Sequence, residues 1–189
     1  MRLVIMGPPG AGKGTQAVVV AQSLGVPHIS TGDIFRANVS QGTPLGEEAQ
    51  RYMDAGEYVP DSITNAMVRD RLSRDDCDPG FLLDGYPRTL EQVNELDGML
   101  RSDGRAIDKV IELTVDTEAV VQRLLNRAQE QGRSDDTAEV IRRRLEVYFE
   151  QTAPLTAMYE AQGLLVRVDG LGAIDEVTAR IVAALAIEA

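Results

Sequence analysis

A short apolar run that stops at glycine constrains this chain more than any other feature. Arg2-Leu-Val-Ile-Met6 has the length and composition of a fully buried strand, and it gives way to Gly7-Pro-Pro-Gly10-Ala11-Gly12-Lys13-Gly14-Thr15. The stretch from Lys13 to Leu24 is helix-like and ends at Gly25 and Pro27. Strand, glycine loop and helix in that order are the setting that the phosphate-loop pattern G-x-x-x-x-G-K requires. Glycines let the backbone curl so that several N–H groups converge on one anion, and the helix N-terminus adds the positive end of its dipole. Lys13 is placed to reach the outer phosphates of a nucleotide. Gly14 follows it and Thr15 comes one later, a departure from the commonest pattern, in which a hydroxyl follows the lysine directly. A chance glycine-rich turn is the competing reading, and both flanks argue against it.

Strand and helix patterns alternate along the rest of the chain. Apolar strand candidates recur at Phe81-Leu-Leu83, Lys109 to Val115 and Leu164 to Val168. Helical patterns lie at Pro60 to Ser73, Thr89 to Leu100, Thr117 to Arg127, Thr137 to Gln162 (with a bend expected at Pro154) and Ala173 to Ile187. Residues 30–59 differ, being punctuated by Gly32, Gly42, Gly46 and Gly56, and read as a small helical insertion. Alternation of this kind predicts a parallel sheet covered on both faces. A length of 189 residues suits one such domain.

Composition narrows the function classes. The formal net charge is −11, opposite in sign to what phosphate neutralisation asks of a nucleic-acid binder. One Cys and one His allow neither an internal disulfide nor a zinc site of the usual ligand count, and Cys77 fits a cytoplasmic thiol. The run Leu3 to Met6 is too short for a signal peptide or a membrane span, and no later segment approaches that length.

The second chemical signal is Phe81-Leu-Leu-Asp84-Gly85-Tyr86-Pro87-Arg88. An apolar strand ending in Asp puts a carboxylate at the carboxyl edge of the sheet, where α/β proteins bind ligands. Asp84 is placed to hold Mg²⁺ directly or through water. Arg88, four residues on, faces the same crevice.

With Gly7 to Gln16, Ile29-Ser-Thr31-Gly-Asp33 and Asp84 to Arg88 in order, and Val168-Asp-Gly170 near the end, the chain resembles the adenylate kinases, a nucleoside monophosphate kinase family, over essentially its whole length. The resemblance implies a P-loop α/β fold with a parallel five-stranded sheet, helices on both faces, a small helical NMP-binding insertion and a short lid loop. Its expected boundaries are a core of 1–29, 60–125 and 137–189, an insertion of 30–59 and a lid of 126–136, all within one domain of 1–189. The loop between helices is too short for the long, sometimes zinc-bearing lid of some members, so zinc is not expected.

Residue roles follow from the same resemblance. Gly10, Ala11, Gly12, Lys13, Gly14 and Thr15, with Arg123, Arg127 and Gly172, would bind ATP. Thr31 and Arg36, backbone around Glu57, Tyr58 and Val59, the turn Gly85-Tyr86-Pro87-Arg88 and Gln92 would bind AMP, together with Arg133 and Arg144. Lys13, Asp84, Arg88, Arg123, Arg133 and Arg144 would act on the transferred group, with Mg²⁺ near Asp84 and Thr15. A cis bond at Tyr86-Pro87 is also implied.

Residue reasoning weighs the same side chains independently. Thr31 is a plausible helix cap and Arg36 a plausible surface charge. Arg123 and Arg127 flank the stripe Val120, Val121, Leu124 and Leu125, and a solvated pair is the usual fate of such residues. Arg144 is different. On a wheel of about 3.6 residues per turn it falls inside the stripe of Val140, Ile141, Leu145, Tyr148 and Thr152, whereas Arg142 and Arg143 point elsewhere. An arginine in a core-facing stripe needs an anionic partner, which bound phosphate supplies.

The expected activity is reversible, Mg-dependent conversion of ATP and AMP into two ADP by a monomer, with no nucleic acid or membrane partner. A UMP/CMP kinase is the nearest alternative. A nucleotide-binding switch would want an Asn-Lys-x-Asp motif, and the closest string, Asn94-Glu-Leu-Asp97, lacks the lysine.

Overall fold

The structure is a computed structural model that describes residues 1–116, 120, 121, 123–126 and 137–185. In chain order it contains β1 (Arg2–Met6), α1 (Lys13–Leu24), β2 (His28–Ser30), α2 (Thr31–Gln41), α3 (Pro44–Asp54) and α4 (Asp61–Leu72). A 3₁₀ turn at Asp75–Cys77 leads to β3 (Phe81–Asp84), α5 (Leu90–Ser102) and β4 (Lys109–Thr114). Then come α6 (Ala138–Val147), a π-helical turn at Tyr148–Thr152, α7 (Pro154–Ala161), β5 (Leu165–Asp169) and α8 (Ile174–Ala184). Residues 120–126 are helical wherever they are described.

The strands form one parallel sheet in the order β2-β3-β1-β4-β5. Burial of β1 on both faces organises it. Leu3 and Ile5 join Ala17, Val20 and Ala21 of α1 and Val177 and Ile181 of α8 in one core. Val4 and Met6 join Val68 of α4, Val93 and Leu96 of α5, and Leu155 and Tyr159 of α7 in the other. The alternation of strand side chains thus feeds two layers of helix, which is why the run reads as continuously apolar. The chain leaves β1 toward β2 and β3 and later crosses to β4, so the loop after β1 lies where the order reverses. Ligand crevices in open α/β sheets form at such a point.

The five-stranded α/β architecture is as expected, but one strand had no apolar run to announce it. β2 is only three residues long, with polar His28 and Ser30 on either side of Ile29. The expected long helix from 137 to 162 is interrupted just before its proline. Pro154 lacks an N–H and crowds the carbonyl one turn back, and the preceding turn widens: Ala153 N–H bonds the Tyr148 carbonyl at 2.9 Å, a five-residue step. The cap of α2 is Ser30, whose side chain accepts from Asp33 N–H at 3.2 Å, and not Thr31, which is the first residue of the helix.

Within residues 31–54, α2 and α3 pack as a pair over a satellite core of Phe35, Ala49 and Val59. Gly46 makes this approach possible, because a Cβ there would lie 2.2 Å from the Asn38 carbonyl oxygen. Gly46→Ala therefore forces two helix backbones apart. It is expected to cost about 1–3 kcal/mol of stability, read as a lower midpoint in urea unfolding; an unchanged midpoint would contradict the packing described.

Candidate active site

The loop after β1 curls through left-handed glycines, Gly10 at φ 83° and Gly12 at φ 92°. Gly10 is pressed against the helical residues Val120 and Leu124, and a Cβ there would stand 2.8 Å from Leu124 Cγ. The Lys13 ammonium donates to the carbonyls of Gly7 and Pro8 at 2.8 and 2.9 Å, so it lies over the loop. Gln16, buried on α1, ties the loop's helix to the start of α8. It donates to Ile174 O at 2.9 Å and accepts from Thr178 Oγ1 at 2.7 Å.

Asp84 ends β3 beside this loop and is 8% exposed. A Cβ on Gly14 would lie 3.5 Å from its Oδ2, so carboxylate and helix N-terminus are neighbours. His28 comes from the adjoining strand with Nε2 3.5 Å from the same oxygen, and that nitrogen is buried without a hydrogen-bond partner. One buried carboxylate at the mouth of a phosphate loop suits a Mg²⁺ ion held chiefly by nucleotide oxygens and water.

The next turn carries most of the remaining polar side chains. The Tyr86-Pro87 bond is cis. Gly85 O accepts from Thr31 Oγ1 at 2.9 Å and from Arg88 Nε at 2.7 Å. Arg88 N–H donates to Gln92 Oε1 at 2.7 Å. The Arg88 guanidinium also lies over the Tyr58 ring, 4.9 Å from its centre. Thr152, on the π-helical turn, donates to Arg88 O at 2.8 Å. Its proton is thereby committed, so the 2.7 Å contact with Tyr58 is one in which the phenol donates. Burial, with the charge of Asp61 behind it, pushes the Tyr86 phenol above its ordinary range; burial does the same to Tyr148.

Two cavities open on these residues. One is lined by the phosphate loop from Gly10 to Thr15, with Asp84, Arg123 and Gly172. The other is lined by Thr31, Glu57, Tyr58, Val59, Tyr86, Pro87 and Gln92. Lys13, Arg36, Gly85, Arg88 and Arg144 border both, so the cavities meet along a cationic wall. Arg123 bonds Gly170 O through both terminal nitrogens at 3.3 Å. Arg36 is held by Asp33 at 2.5 Å. Arg127 and Arg133 lie outside the described residues.

Some groupings were not visible in the sequence. Arg143, expected at the surface, reaches Glu57 at 2.6 Å and so ties α6 to the segment after α3. Only half of the stripe Val120, Val121, Leu124 and Leu125 is covered. Val120 and Leu124 are fully buried, while Val121 and Leu125 are 37% and 36% exposed. Thr152 and Asp61 carried no local motif. Thr152 was placed in the core-facing stripe of its helix, which was the one available hint.

A glycine loop on the central strand, a carboxylate on its neighbour and two cavities sharing cationic residues define a P-loop phosphotransferase with room for two phosphate-bearing ligands. The sequence profile described as Adenylate kinase matches residues 5–164. The chain is 65% identical to an adenylate kinase of Kocuria rhizophila, over 97% of this chain and 98% of that one. It is 64% identical to one of a Nocardioides species (98% and 97%), and 60% identical to one of Thermobifida fusca (98% of each). This chain belongs to the adenylate kinase family. Replacing Lys13 with Met removes the one ammonium over the loop. It is expected to weaken binding of a nucleoside triphosphate roughly 10- to 100-fold by calorimetry, the value of one charge-assisted bond.

Proposed function

We propose that this chain catalyses reversible transfer of the terminal phosphoryl group of ATP to AMP, forming two ADP. The observation that carries the reading is the pair of cavities sharing Lys13, Arg36, Arg88 and Arg144. A donor on the phosphate loop and an acceptor between α2 and the turn after β3 would bring their phosphates together at that wall. Phosphoryl transfer asks mainly for alignment and for stabilisation of charge on the moving group.

The acceptor phosphate is its own nucleophile and is already largely ionised at neutral pH, so no general base is required. Lys13 and Arg123 would hold the donor phosphates. Arg88, Arg36 and Arg144 would hold the acceptor phosphate, with Arg127 and Arg133 assigned by resemblance alone. Mg²⁺ bound with ATP near Asp84 and Thr15 would neutralise phosphate charge. Thr31 and Gln92, both in the second cavity, support adenine over the pyrimidines as acceptor base. Gly172 would contribute backbone near the base of ATP.

Water must be kept from the reacting phosphates, and residues 30–59 are the cover proposed for the acceptor side. Among the described residues no helix is long and apolar enough to cross a membrane. The single thiol, buried Cys77, supports a cytoplasmic setting, and a monomer is the proposed state.

The direct test is a coupled assay for ADP with Mg-ATP and, in parallel, AMP, UMP, CMP and GMP. AMP is expected to be turned over fastest; a preference for UMP or CMP would transfer the chain to the neighbouring activity. Arg88→Ala is expected to lower kcat about 100-fold or more, as loss of a preorganised charge-stabilising group does. Near-normal turnover would refute the role given to Arg88. Amide exchange offers a separate check on the cover: residues 30–59 should gain protection when a bisubstrate analogue binds, and unchanged exchange would exclude closure.

A further inference from the structure

A glutamine facing a purine is by itself an ambiguous reader. Its amide presents one donor and one acceptor side by side, and rotation by half a turn exchanges them. In one orientation it matches the Watson–Crick edge of adenine, which offers an N–H donor at position 6 and an acceptor at N1. In the other it matches hypoxanthine or guanine, which offer an acceptor at position 6 and a donor at N1. A cavity built on Gln92 alone would suit both.

Here the amide is held between two partners of fixed polarity. Gln92 Oε1 accepts from Arg88 N–H at 2.7 Å, a group that can only donate. Gln92 Nε2 donates to Asp61 Oδ1 at 2.7 Å, and a carboxylate can only accept. Asp61 is itself held, because its other oxygen accepts from Thr89 Oγ1 at 2.8 Å. Thr89 in turn caps α5 by accepting from Gln92 N–H at 3.2 Å, so its proton has one use. Gln92 is only 1% exposed, so water cannot compensate a reversed contact. Turning the amide over would set donor against donor at Arg88 and acceptor against acceptor at Asp61. Thr31 agrees in sense: its hydroxyl proton is given to Gly85 O at 2.9 Å, leaving its oxygen only to accept.

We infer that Asp61 is a specificity-determining positioning residue: its carboxylate locks the Gln92 amide in the orientation that accepts adenine and rejects 6-oxopurines. The inference rests on the proposed AMP acceptor site and adds to it a residue that touches no ligand. Guanine and hypoxanthine are then refused because their hydrogen-bonding edge is reversed, and not because they are too large.

The test is Asp61→Asn, which keeps the shape and, by turning its own amide, removes one of the two clashes that oppose reversal of Gln92, that at Arg88 N–H remaining. The readout is the ratio of kcat/KM for AMP to that for IMP. It is expected to fall about tenfold or more, the worth of one matched base-edge pair, with KM for Mg-ATP unchanged. Equal losses with both acceptors, leaving the ratio where it was, would overturn the lock and leave Asp61 a merely structural residue. If the variant does not fold, the wild-type protein decides. Purine riboside monophosphate lacks the 6-substituent but keeps the N1 acceptor, so it should exceed IMP about tenfold or more. IMP accepted as well as that analogue would overturn the lock alone. A wild-type protein inert with AMP would instead overturn the acceptor reading beneath it.

Discussion

The turn after β3 is the constraint on which the cleft depends. Four side chains take their direction from its backbone: Thr31 and Arg88 from Gly85 O, Gln92 from Arg88 N–H, and Thr152 from Arg88 O. Backbone polar groups in a buried turn must be paired, and here the pairing is done by groups that also face the cavities. Each bond is worth only about 1 kcal/mol net, but an orphaned partner would cost more, so the turn and its side chains stand or fall together. The turn is fixed in its turn by Phe81 to Leu83, buried in the sheet beside β1.

A consequence is that the cleft's polarity is set before any ligand arrives. Thr31 and Thr152 have spent their protons, Gln92 is held by Arg88 N–H and Asp61, and Tyr58 donates to Thr152. Preorganised groups of this kind need no rearrangement at the moment of reaction, which is where electrostatic catalysis gains most. The π-helical turn belongs to the same scheme. Without the widening before Pro154, Thr152 would lie at a different angle on its helix, and the contact with Arg88 O would be lost.

What could be read from the sequence follows from how the parts are coded. The phosphate loop and the run from Asp84 to Arg88 are contiguous, because a strand end and the turn after it must occupy neighbouring positions. Both were therefore legible, as were the parallel sheet and the role of β1 within it. Asp61 meets Gln92 across 31 positions, Thr152 meets Arg88 across 64, and Glu57 meets Arg143 across 86. No local pattern marks such pairs, since an aspartate opening a helix and a threonine two positions before a proline are ordinary residues until packing brings them to a partner. Thr31 was misread as a cap for a related reason. Ser30 and Thr31 are both good caps, and only the end of β2 at Ser30 decides between them.

The arginines show how an acidic chain can present a cationic cleft. Outside it, Arg69, Arg71, Arg105 and Arg167 lie against the carboxylates of Glu95, Asp76, Asp78 and Glu160. Exposed pairs like these add little stability, but each cancels a charge on the outer surface. Within the cleft, Arg36 pairs with Asp33, whereas Arg88 and Arg123 bond backbone carbonyls. A carbonyl dipole orients a guanidinium without neutralising it. Lys13, Arg36, Arg88 and Arg144 are thus gathered where the two cavities meet, on a chain whose net charge is −11. A phosphate-bearing ligand is drawn to that region by the local cluster of cations, which a net negative charge on the whole chain does not prevent.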